Sequence, residues 1–146
     1  MVVYQDAAVM LPHLWVASIA QTDLVEQLLG VDLAPNFWEE LNSQDPRLLA
    51  RGGHPALSVE GYTRNCIPLW LHGDGVEYSQ EQSLMTLTFG SCLATTNSMD
   101  SMFYIASFVK SVTATTAKHG VDTWVELWAI ICWSFQALWE GTHPTS

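Results

Sequence analysis

Two short gaps constrain this chain more than anything inside its apolar runs. The stretches "CIPLWLH" (66–72), "SLMTLTFGSCLA" (83–94) and "SMFYIASFVKSV" (101–112) each read as a strand. In the second, Leu84, Thr86 and Thr88 alternate with Met85, Leu87 and Phe89, the period of two that a half-buried strand imposes. The third is rich in aromatic and β-branched residues. The first carries Pro68 near its start, where a strand tolerates a missing N–H. Only "GDGVEYSQEQ" and "TTNSMD" separate them, polar segments holding glycine or asparagine. A parallel return needs a crossover of about a dozen residues or more, so the three strands are expected to form a mainly antiparallel sheet.

After a linker, "TATTAKHGVD", one long helix is expected over 123–140, capped by Asp122 or Thr123 and ended by Gly141. At about 100° per residue, Trp124, Leu127, Trp128, Ile131, Phe135, Leu138 and Trp139 fall on one wide face. That face should lie on the sheet, with Trp124, Trp128, Ile131 and Phe135 as its buried contacts. Glu126 and Glu140 fall opposite, together with Ile130 and Trp133. A tryptophan on the outer side calls for a cover, so Ile130 and Trp133 are the candidate interface.

Residues 1–60 have a different texture. Thr22 is placed to cap a short helix "DLVEQLL" that stops at Gly30, and Asn36 to cap "NFWEEL". The stretch "SQDPRLLARGGHPALS" reads as an irregular connector. The fold class is α+β. A helical and loop-rich extension (1–60) precedes a strand–strand–strand–helix domain (61–146), expected to pack as one compact unit.

Composition narrows the function. The 146 residues are 49% hydrophobic and 14% charged, enough apolar content for one domain with a core. Fifteen acids against five Lys plus Arg give a formal charge of −10, which repels phosphate backbones and makes the chain by itself a poor candidate for nucleic-acid binding. Seven tryptophans point to extensive aromatic packing or to an interface. Cys66, Cys92 and Cys132 lack zinc-ligand spacing and are expected to be buried thiols of a reducing, intracellular compartment, nuclear or cytoplasmic. The N-terminal residues have no signal-peptide pattern, and "WVELWAIICWSFQALW" is short of the length of a membrane span, which needs about 20 residues. The chain is therefore expected neither to be secreted nor to enter a membrane.

The stretch that reads as chemistry is "IPLWLHGDGVEYSQ" (67–80), where Gly73 and Gly75 bracket Asp74 and His72 stands two places earlier. Asp74 reads either as a metal-binding carboxylate or as the polar residue of a Gly-Asp-Gly turn. The order strand, strand, strand, helix with an acid at the first strand resembles the opening half of a ribonuclease-H-like fold. That resemblance implies Asp74 as the catalytic, metal-binding acid, with Mg²⁺ or Mn²⁺ as the ion if the site works. Such a pair of ions clamps the attacking and leaving oxygens of a phosphodiester. Gly73 and Gly75 would then leave space for a phosphate, His72 would share the strand face with Asp74, and Glu126 would be the acid on the long helix able to reinforce the site.

In wording, "FW…DPRL…HP", "IPLWLHGDGVEYS…SLMTLTFGS" and "WSFQALWEGTHP" are similar to a family of repetitive genomic sequences in dinoflagellates. That family looks derived from mobile elements and distantly like DDE transposases. The resemblance covers roughly residues 37–144. It implies a truncated transposase-like protein, since the later acids of such a site would lie beyond Ser146. Without them the chain is expected to have no catalytic activity alone and no tightly bound cofactor. The alternative is a small acidic protein-interaction domain that works through the Trp133 face, with a protein partner or a second copy. The segment "LWLHGDG" also looks like an esterase oxyanion loop, but the partner motif G-x-S-x-G is absent, because "FGSCLA" lacks the second glycine.

Overall fold

The computed structural model of the chain describes residues 8–44, 55–79, 82–115, 118 and 120–141. They are arranged as helices α1 (Pro12–Ile19), α2 (Val25–Leu29), α3 (Ala34–Gln44) and α4 (Tyr62–Asn65), strands β1 (Leu69–Ser79), β2 (Gln82–Ser91) and β3 (Phe103–Val109), and helix α5 (Thr123–Glu140). The strands form one antiparallel sheet in the order β1-β2-β3, and the fold class is α+β. The chain packs as two compact units, one of Met1–Ser18, Leu71–Phe89 and Phe103–Ser146, the other of Ile19–Trp70 and Gly90–Met102. Division at residue 60 and division by packing are thus different cuts.

In the first unit the period-two pattern of 83–94 does its expected work. Leu84 pairs with Val109, Met85 with Phe108, Thr86 with Ser107 and Leu87 with Ala106. The register then slips, so that Thr88 meets Tyr104 and Phe89 meets Phe103. Ile105 is the extra residue of this bulge, and it is fully buried. One face of the sheet carries Met85, Leu87, Phe89, Ala106 and Phe108. Helix α5 lies on that face: Phe108 meets Trp124 edge-on at 4.9 Å and Phe89 meets Phe135 edge-on at 5.8 Å.

The ends of α5 follow from its caps. The Asp122 carboxylate accepts from the N–H groups of Trp124 (2.9 Å) and Val125 (3.3 Å), and Gly141 closes the helix at φ 63°. Its buried line is Leu127, Ile131, Ser134 and Ala137. Ile131 is buried as expected, and Trp124 and Phe135 are partly buried. Trp128 is not: it is 36% exposed and stacks on Trp124 at 6.4 Å. The helix is apolar around most of its circumference, so counting large residues does not locate its buried side. Small residues do, because α1 approaches closely at Ser134. No helix among the described residues is long and apolar enough to cross a membrane.

The second unit has its own core. Ala34, Trp38 and Leu93 are buried, with Phe37, Leu41, Leu57, Tyr62 and Cys66 packed against them. The Trp38 indole N–H donates to the Cys66 carbonyl at 2.8 Å, and Trp38 meets Tyr62 edge-on at 5.6 Å. Gly30 ends α2 at φ 66°, and a Cβ there would stand 2.2 Å from the Leu93 carbonyl oxygen. Here both the backbone angle and the close approach require glycine.

Three local expectations change. Thr22 is not the cap of α2, whose N-cap is Leu24; the Thr22 hydroxyl instead donates to the Ile19 carbonyl at 2.8 Å. Asn36 lies inside the first turn of α3, which begins at Ala34. Cys92 and Cys132 are exposed and only Cys66 is partly buried, because aromatic neighbours in sequence do not cover a thiol on an outward position. Most of the connector 43–58 and part of the linker 113–122 fall outside the described residues.

Candidate functional site

Strand β1 runs unbroken from Leu69 to Ser79, straight through the segment that reads as a gap or a turn. Asp74 is therefore neither at the end of a strand nor in a Gly-Asp-Gly corner. Gly73 and Gly75 do not have positive φ, so an ordinary extended backbone carries them. Their absent side chains have an internal reason. A Cβ on Gly73 would stand 3.0 Å from Leu87 Cδ2, and one on Gly75 would stand 3.0 Å from Met85 Sδ. Both glycines thus face the side of the sheet that holds α5.

Alternation along the strand puts His72 and Asp74 on the other side. They share that side with Thr86, Thr88, Tyr104 and Ser107. Thr86 and Ser107 join their hydroxyls across the strands at 2.9 Å. Thr88 is buried, and its Oγ1 meets no hydrogen-bond partner among the described residues. His72 and Asp74 are both exposed.

Glu126 is exposed on α5, whose sheet contacts lie on the Met85–Leu87–Phe89 side. The sheet therefore stands between Glu126 and Asp74, and the two carboxylates do not converge. Among the described residues no three His, Cys, Asp or Glu side chains gather as metal ligands. The residues present do not fit a two-metal group: one carboxylate and one imidazole on that face of the strand, with Glu77 on the other, supply too few hard oxygen donors.

Ile130 and Trp133, 43% and 44% exposed, stand on α5 with Val125, Trp128 and Trp139, which are 64%, 36% and 41% exposed. Trp133 has one internal contact that sequence reasoning missed, an edge-on approach to His13 at 5.4 Å. His13 itself is buried. A histidine on a short apolar helix gave no signal of that contact.

Two of the thiols have altered acidity. Burial pushes the Cys66 thiol up, and its Sγ lies 3.8 Å from the Ala56 carbonyl oxygen. Cys92 is exposed as a residue, yet partial desolvation of its sulfur also raises it, against a smaller lowering by its own backbone N–H.

Comparison of the chain with protein-family models, with curated proteins and with solved structures finds no match.

Proposed function

We propose that this chain is an acidic protein-interaction domain without catalytic activity of its own, descended from a transposase-like protein of a mobile element. The ancestry rests on the wording of the sequence and on the strand–strand–strand–helix order with Asp74 in the first strand. It is a reading of origin, and the activity does not follow it, because Asp74 and Glu126 are held on opposite sides of the sheet. Free thiols suit an intracellular setting, nuclear or cytoplasmic.

The exposed apolar side of α5 carries the interaction reading. Val125, Trp128, Ile130, Trp133 and Trp139 present large apolar surface on a single 18-residue helix. Aromatic residues on a rigid helix are the usual anchors of protein contacts. A second copy of the chain is the occupant this reading commits to. Each copy carries −10, so association must work against long-range repulsion and strengthen as salt screens it.

Light scattering after size exclusion, at about 0.15 and 0.5 M salt, tests this. The wild type should exceed the monomer mass and do so more at the higher salt. The double variant Ile130→Ser/Trp133→Ser should run as a folded monomer. A wild type that stays monomeric at both salts would end the self-association reading.

A further inference from the structure

The two edges of the sheet are treated differently. On β3, the Ile105 carbonyl accepts from the Met10 N–H at 2.7 Å, and the Tyr104 carbonyl from the Trp15 indole N–H at 2.8 Å. Trp15 also packs on Phe103, at 5.6 Å between ring centres. The chain thus closes that edge with its own N-terminal segment. Strand β1 has β2 as its one neighbour in the sheet. From Leu71 to Glu77 its backbone bonds to nothing outside the ladder among the described residues.

An open edge is a row of unpaired N–H and C=O groups, and soluble proteins usually blunt it with lysine, proline or a cover. This one has no lysine, arginine or proline anywhere in Leu69–Ser79. The nearest cations in sequence are Arg64 before it and Lys110 after it, so none of the three strands carries one. What the edge does carry is negative: Asp74 on the side away from α5 and Glu77 on the α5 side, both exposed. Two copies paired edge to edge would bring a pair of like carboxylates to each face of the joined strands, Asp74 on one and Glu77 on the other, and like charges close across strands are destabilising. An incoming strand with lysine or arginine at those places gains from the same charges.

We propose that the outer edge of β1 accepts an extended basic segment of another protein as a fourth strand. Main-chain hydrogen bonds would supply the pairing, and Asp74 and Glu77 the preference for cationic side chains. The proposal rests on the reading of this chain as an interaction domain, but uses a surface separate from the exposed side of α5.

The test uses the full chain and fluorescent peptides that repeat two lysines and two valines, so that each face of the added strand carries cations, read by anisotropy at about 0.15 M salt. Three probes are compared: the lysine–valine peptide, its fully N-methylated counterpart with the same charges and no amide N–H, and a glutamate–valine peptide. The lysine–valine peptide should bind, N-methylation should weaken it at least about tenfold, and the glutamate peptide should not bind. The double variant Asp74→Asn/Glu77→Gln should weaken binding by roughly fivefold to tenfold. Ile130→Ser/Trp133→Ser should leave peptide affinity unchanged, which separates this result from the self-association of α5. Equal binding of the N-methylated peptide would mean charge attraction without strand pairing and would overturn the proposal. So would binding of the glutamate peptide, an unchanged affinity in the Asp74/Glu77 variant, or no binding of the lysine peptide at all.

Discussion

His13 and Ser134 lie 121 residues apart in sequence and share two contacts in the fold. The His13 backbone N–H donates to Ser134 Oγ at 3.1 Å, and His13 Nδ1 lies 2.9 Å from the same oxygen. Ser134 is fully buried and His13 nearly so. This pair fastens α1 to α5, and it explains why a serine occupies the buried line of an otherwise apolar helix.

Removing the hydroxyl should therefore be costly. Ser134→Ala removes the oxygen that both His13 contacts share in a buried place, a loss of about 1–3 kcal/mol. Urea unfolding of the two proteins checks this, and a difference below about 0.5 kcal/mol would show that the pair contributes little.

Thr88 should behave in the opposite way. Its buried hydroxyl is unsatisfied among the described residues, so Thr88→Val exchanges a desolvated polar atom for a methyl of similar shape. The variant should gain about 1 kcal/mol, or roughly 3 °C in Tm. A loss of stability would place an unseen partner on that oxygen.

Much of the sheet was legible in the sequence because alternation at 83–94 and short gaps leave little choice of topology. Asp122 and Gly141 likewise announce both ends of α5. The length of β1 was not legible, since "GDG" has the composition of a turn while its glycines serve to admit Leu87 and Met85. The buried side of α5 was hidden by its surplus of tryptophans. Ser134 and Ala137 mark it, and their smallness carries no periodic signal. Of the candidate site, the sequence supplied the residues but not their faces, and the faces decide that Asp74 and Glu126 stay apart. The open β1 edge had a readable trace, the absence of any cation from residue 65 to 109.

Gly30 offers a check on the second unit. Gly30→Ala meets a positive φ and a backbone oxygen at 2.2 Å, so both strain and displacement of Leu93 oppose it. A loss of at least about 2 kcal/mol is expected. A neutral variant would mean that α2 and the 91–95 segment pack differently.

Burial of Cys66 makes a prediction in pH. A thiol raised in the folded state holds its proton more tightly than in the unfolded chain. Its contribution is fully present below the ordinary thiol value and is lost as pH rises through the raised one. Stability should fall on that limb, and Cys66 should alkylate more slowly than exposed Cys132 at pH near 7.5. Mass spectrometry of iodoacetamide labelling reads the order; Cys66 reacting as fast as Cys132 would contradict its placement against Trp38.

The claim that the chain has no nuclease chemistry of its own is tested most directly by offering it DNA and metal. Labelled duplex and hairpin substrates are incubated with the wild type and Asp74→Asn, in Mg²⁺ and in Mn²⁺, at physiological salt. No cleavage, no tight binding, and the same melting temperature for both proteins with and without metal are expected. Cleavage by the wild type that disappears in Asp74→Asn would contradict it and make Asp74 a catalytic carboxylate.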